Sequence, residues 1–203
     1  MITEILKVDP ASPEPSDIKK IVAVLKKGGI VALPTETVYG LAVNARDKNA
    51  LDRLYSVKKR DETKPFTIQI SNFSQLKSYV NKLSPALEII LNEFWPGPLT
   101  VIVDGKKGRV GLRMPDSKAT LYIIEKAGVP LAVTSANISG KAPALSAGDV
   151  INIFDGLINL VVDDQTVSGG IESTVLDCTT GSFNIVRKGA VSERLERFLR
   201  IYE

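Results

Sequence analysis

Residues 28–66, GGIVALPTETVYGLAVNARDKNALDRLYSVKKRDETKPF, constrain this chain more than any other stretch. A short apolar run at 30–33 breaks at Pro34 into the polar turn Thr35-Glu36-Thr37. A helical pattern follows and ends in a dense set of cations: Lys58, Lys59, Arg60 and Lys64. Read physically, a buried strand delivers hydroxyls and a carboxylate to its end, and a helix brings fixed positive charge nearby. An α/β protein builds an anion site at the carboxyl end of a strand in this way.

The rest of the chain repeats the alternation. Ser16 is the expected N-cap of a helix over 17–27, whose stripe is Ile18, Ile21, Val22 and Leu25 and whose stop is Gly28. Asn49 is the expected cap of a helix running to about residue 59, with Leu51, Leu54 and Tyr55 facing the core. A strand over 66–70 follows, and Ser84-Pro85 starts a helix carrying Leu87, Ile90, Leu91 and Phe94 at helical spacing. Pro96-Gly97-Pro98 ends it and feeds a strand over 99–103, with another over 110–114. A helix over 117–126, a strand over 130–134, a short helix near 149–154 and strands near 160–162, 173–177 and 183–186 complete the pattern. The tail, 192–202, places Leu195, Phe198, Leu199 and Tyr202 on one face. Several strand pairs lack an intervening helix. The expected fold is therefore a three-layer α/β domain: a twisted, mixed parallel and antiparallel sheet flanked by helices, with a concave basic cleft. Its 203 residues suit one domain, with a core over 16–191 and the tail helix after it.

Composition narrows the chemistry by what is missing. There is no histidine, so Ser-His-Asp and Cys-His catalysis and His-ligated metal sites are excluded. The single cysteine, Cys178, excludes an intramolecular disulfide and points to a reduced, cytoplasmic setting. The start, MITEILKVDP, does not read as a signal peptide, and no stretch approaches the ~20 apolar residues of a membrane helix. Neither G-x-x-x-x-G-K-[ST] nor G-x-G-x-x-G is present. The net charge of +3 is too mild to announce nucleic-acid binding, yet it suits an anionic substrate. An enzyme with this repertoire works through positioned hydroxyls, amides and cations, which fits transfer at phosphorus.

Four clusters carry candidate chemistry, and each has a plainer alternative. Lys58, Arg60 and Lys64 are either an anion site or a solvated helix end favoured by the helix dipole. Thr35-Glu36-Thr37 is a hydroxyl-lined pocket with Tyr39 as a wall, or simply a turn. Ser135 and Asn137, directly after an apolar strand, present donors to phosphate or ribose, or are ordinary turn residues. Ser173 and Thr174, with Arg187 one hairpin later, are a second anion-facing group, or strand hydroxyls and an edge charge. Asp163-Asp164 reads as a turn, and Trp95 as a core closure.

Taken together these pieces resemble the YrdC-type threonylcarbamoyl-AMP synthases. The match rests on GGIVALPTETVYGL, the K-x-R of Lys58 and Arg60 with Lys64-Pro65, FWPGPLT, VGLRMPD, TSANISG, and GIESTVLD followed by Arg187. It runs from about residue 20 to 191. The resemblance implies a nucleotidyltransferase that makes threonylcarbamoyl-AMP and pyrophosphate from L-threonine, bicarbonate and ATP, for modification of tRNA by a downstream transferase machinery. It implies Lys58 and Arg60 as catalytic residues in a positive cavity. Thr37, Ser135, Ser173 and Arg113 would hold threonine; Arg60, Lys64, Asn137 and Arg187 would hold the nucleotide. Magnesium would accompany ATP, with no protein ligand assigned. Gln69 stands where many members have a histidine that contacts threonine, and Ser146 lies beside Leu145, where a nucleotide-binding hydroxyl is expected. Longer relatives carry a second C-terminal domain that this chain is expected to lack. The alternatives are a protein that binds tRNA or double-stranded RNA, and a paralogue without synthase activity.

Overall fold

The computed structural model describes residues 2–164 and 169–202. In chain order its elements are β1 (Glu4–Lys7), α1 (Pro15–Lys26), β2 (Val31–Leu33), β3 (Gly40–Asn44), α2 (Lys48–Lys58) and β4 (Thr67–Gln69). Then come α3 (Phe73–Leu76), α4 (Pro85–Phe94), β5 (Leu99–Gly105), β6 (Gly108–Arg113), α5 (Lys118–Ala127) and β7 (Leu131–Ser135). The last are α6 (Ala147–Phe154), β8 (Leu160–Asp163), β9 (Thr174–Asp177), β10 (Asn184–Arg187) and α7 (Ser192–Tyr202). The expected part of the Tyr202 side chain in the tail's apolar face lies outside the described residues.

One sheet of 10 strands runs in the order β1-β8-β2-β3-β7-β4-β6-β5-β9-β10. It is mixed, as the helix-free strand pairs imply. β1–β8, β8–β2, β4–β6 and β5–β9 are parallel, and the other neighbours are antiparallel.

Strand alternation sorts side chains between helix layers. Ala32, Leu41, Val43 and Ala132 pack with Leu54 of α2 and Val150 and Phe154 of α6. Val31, Leu33, Ala42, Leu131 and Val133 pack with Ile21 and Leu25 of α1 and Ile123 and Ile124 of α5. At the far end Leu99, Val101, Leu112 and Leu176 pack with α4 and with Leu195 of α7. Side chains such as Ile21, Leu25 and Leu54 are wholly buried, each worth roughly 1.5–3 kcal/mol. Among the described residues no helix is long and apolar enough to cross a membrane.

Ser84 caps α4, as the Ser84-Pro85 start implies, by accepting from the Leu87 N–H; Ser117, expected inside its helix, instead caps α5 by accepting from the Thr120 N–H. Gly128 ends α5 at φ 63°, in the left-handed region. Two further caps differ. α1 starts at Pro15, with Glu14 at the cap position and no side-chain cap, because proline needs no partner in the first turn and presets φ. Ser16 therefore lies inside the helix. Asp47, not Asn49, caps α2 by accepting from the Ala50 N–H, where its charge also complements the helix dipole. β3 and β1 are additional to the sequence reading. GLAVN is buried almost throughout, so it shows no alternation that would separate it from the start of a helix.

Candidate active site

β2 and β3 pair antiparallel, so residues 34–39 become the loop between them. The Thr35 hydroxyl donates to the Val38 carbonyl at 2.7 Å and accepts from the Thr37 hydroxyl at 2.8 Å. Thr37 in turn accepts from Arg113 Nη2 at 2.9 Å. The turn is thus wired to a strand far away in sequence.

Sheet register does the rest. Gln69 on β4 lies opposite Arg113 on β6, which lies opposite Thr100 on β5. Directly opposed residues share a face, so these three make one polar row across an apolar sheet. Arg113 is buried, and its Nη2 also meets Glu36 Oε1 at 2.8 Å. Its Nη1 has no partner among the described residues, which leaves one edge of the guanidinium for a ligand. Gln69 is 4% exposed, and its Oε1 has no hydrogen-bond partner among the described residues. Buried polar atoms are normally satisfied, so this acceptor is set for a donor that the protein does not supply.

Thr100 Oγ1 is 2.8 Å from Ser173 Oγ, and Arg187 Nη2 donates to the same Ser173 oxygen at 3.0 Å. Arg187 also reaches the Ser173 carbonyl at 2.8 Å and Glu172 Oε1 at 3.2 Å. Gly189 permits this: a Cβ there would stand 2.5 Å from Ser173 C and Thr174 N. Thr100 and Gly189 escaped the sequence reading. A polar Thr100 inside the apolar run LTVIV was the signal for the first.

The cationic end of α2 is solvated only in part: Lys59 and Lys64 are exposed, and Lys58 is not. Lys58 is 1% exposed, and its Nζ donates to Ser135 O (2.5 Å), Asn137 O (2.7 Å) and Asn137 Oδ1 (2.8 Å). Burial first, then the nearby Arg60 charge, pulls its pKa down to about 8, while Glu172 opposes the shift. Lys59 turns the chain at φ 50°, and Arg60 follows, half-buried. Arg60 donates to the Lys64 and Pro65 carbonyls and lies over the Phe66 ring at 5.3 Å.

A cleft of about 510 Å³ joins these groups. It is lined by Lys58, Lys59, Arg60, Lys64, Arg113 and Arg187, against the carboxylates Asp61 and Glu172, with Tyr39, Gln69, Thr100, Ser135, Asn137 and Ser173. The Tyr39 hydroxyl is held well above its ordinary pKa by burial and then by Asp163 and Asp164. Of the expected site residues, Thr37 sits behind Arg113 rather than in the lining, and Ser146 lies outside it. The Ser146 hydroxyl caps α6 by accepting from Asp149 N.

The family model for Sua5, YciO and YrdC proteins, described as telomere recombination, matches residues 23–189. A threonylcarbamoyl-AMP synthase of Pyrococcus abyssi is 37% identical over 186 residues, 86% of this chain and 55% of that protein. One of Bacillus subtilis is 34% identical over 91% of this chain and 57% of that protein. One of Mus musculus is 32% identical over 95% of this chain and 75% of that protein. The chain thus spans just over half the length of the archaeal and bacterial relatives. The crystal structure of P. abyssi Sua5 complexed with L-threonine superimposes with a TM-score of 0.91 at 35% identity, over 96% of this chain and 60% of that one. Escherichia coli YciO shares the fold, with a TM-score of 0.85 at 23% identity over 94% of this chain and 98% of that one. With its sheet, its cleft and its motifs in this register, the chain belongs to the Sua5–YciO–YrdC family.

Proposed function

We propose that the cleft binds ATP beside L-threonine and forms threonylcarbamoyl-AMP, with bicarbonate as the carbon source and pyrophosphate as the leaving group. One observation carries the reading: the open edge of a buried arginine, beside the Gln69 carbonyl that has no partner among the described residues, sits in the same cleft as Arg60, Lys64 and Arg187. That is a carboxylate site adjoining a polyanion site. The name threonylcarbamoyl-AMP synthase on the relatives and the L-threonine in the P. abyssi structure support it.

In this reading Arg113, backed by Thr37, takes the amino-acid carboxylate, and Gln69, Ser135 and Ser173 surround its amine and hydroxyl. Arg60, Lys64, Asn137 and Arg187 hold the phosphates and ribose. The amine attacks the carbon of bicarbonate and water leaves. The resulting carbamate oxygen then attacks the α-phosphorus, and the bond to pyrophosphate breaks. Fixed cations neutralise the charge that develops there, and no protein nucleophile is needed. A divalent ion such as magnesium would be carried by the phosphates. Among the described residues no cluster of three or more carboxylate, cysteine or histidine side chains forms a cage for it. The product would pass to a tRNA-modifying transferase, in a cytoplasmic setting. Residues 16–191 would work as one unit with the tail helix. Binding of tRNA or double-stranded RNA is the second reading, which the small net charge of +3 does not favour.

Calorimetric titration of L-threonine into wild type and Arg113→Met tests the assignment. Losing the guanidinium should weaken binding by about 2 kcal/mol, roughly thirtyfold. Equal affinities would remove Arg113 from the amino-acid site.

A further inference from the structure

An ammonium has three donors, and in Lys58 all three are committed. Their acceptors, Ser135 O, Asn137 O and Asn137 Oδ1, lie 2.5–2.8 Å away and belong to one turn. The backbone adds to the link, because the Ser139 N–H donates to the Lys58 carbonyl at 3.0 Å. A phosphate could engage this nitrogen only by displacing one of those oxygens, which would leave a buried acceptor without a donor. Arg60, two residues on and half-buried, has no such engagement with the turn.

We propose that Lys58 is a positioning residue: it fixes the turn 135–137 and thereby sets what Ser135 and Asn137 present to the ligand, without touching the ligand itself. The hydrogen-bond directions follow from it. Asn137 Oδ1 is held toward Lys58, so its Nδ2 points the other way and donates to the Lys141 carbonyl at 2.6 Å, leaving one proton free. The Ser135 hydroxyl donates to that same Oδ1 at 2.9 Å. With its proton committed, Ser135 offers the cleft lone pairs only. It is an acceptor for a substrate amine or hydroxyl and a poor partner for phosphate. The choice of probe below rests on the proposed function; the clamp does not.

The test is a double-mutant cycle with MgATP binding as the readout, using Lys58→Met, Asn137→Ala and the pair. If Lys58 acts through the turn, each single change weakens binding tenfold or more, and the pair is within about twofold of the worse single. Losses that multiply would mean an independent ligand contact and would overturn the proposal. Should wild type fail to bind MgATP, the functional reading falls but the clamp remains testable in the unliganded protein. There the amide signals of Ser135, Asn137 and Ser139 should shift together with a midpoint near pH 8, set by Lys58. The charged neighbours that face it are Arg60 and Glu172. Signals that stay still from pH 7 to 10.5 would sink the clamp.

Discussion

Glu36 Oε1 stands 2.8 Å from Arg113 Nη2, so the guanidinium proposed to receive a substrate carboxylate already holds one from the protein. Both side chains are largely buried, at 9% exposure for Arg113 and 19% for Glu36. The second carboxylate oxygen, Glu36 Oε2, is buried with no hydrogen-bond partner among the described residues. Removing the arginine alone would strand that charge. Arg113→Met should therefore lose roughly 3 kcal/mol of stability. Glu36→Gln combined with Arg113→Met should lose less than Arg113→Met by itself. Urea denaturation of wild type and the two variants measures this, and a double variant weaker than the single would show that the pair is not coupled.

Gln69 gives the opposite balance. Its buried Oε1 lacks a partner among the described residues, so Gln69→Leu removes an unsatisfied acceptor and should leave stability unchanged or raise it by about 1 kcal/mol. Threonine affinity should nonetheless fall about tenfold. Thermal melts beside a binding titration separate the two effects. Lower stability together with unchanged affinity would make Gln69 a structural residue.

Gly189 lets the backbone after β10 lie against residues 172–174, and a methyl group has no room there. Gly189→Ala should cost about 1–3 kcal/mol by overpacking. It should also move Arg187 off Ser173, weakening nucleotide binding while threonine binding changes less. A crystal structure of the variant with Arg187 unmoved would refute the second effect.

Lys58 sets a sign for pH dependence. Its folded pKa of about 8 lies below the ordinary lysine value of 10.5. Between those two values the unfolded chain binds the extra proton, so this group makes stability rise with pH in that window. Its unfavourable contribution is fully present below pH 8. Stability measured from pH 7 to 10.5 in wild type and Lys58→Met isolates the effect, because the other titrating groups are common to both. A steeper rise is expected in wild type; parallel curves would place the lysine's proton elsewhere.

The chain's periodicity revealed most of its elements because helix stripes such as Leu87, Ile90, Leu91 and Phe94 are all buried in one core. It hid β3, whose residues are buried on both faces and so carry no period. Motif position placed Arg60, Lys64, Asn137, Ser173 and Arg187 around one cleft. The row Gln69–Arg113–Thr100 is a property of strand register, which pairs residues distant in sequence and leaves no local signature. The burial of Lys58 was likewise unreadable, since its three acceptors lie 77 and 79 residues away.

The central claim is tested most directly by pyrophosphate release from MgATP. The purified chain should release pyrophosphate only when both L-threonine and bicarbonate are present, and Arg60→Ala should lower the rate at least about a hundredfold. Release that ignores threonine or bicarbonate, or that survives Arg60→Ala, would contradict the assignment of this cleft to threonylcarbamoyl-AMP synthesis.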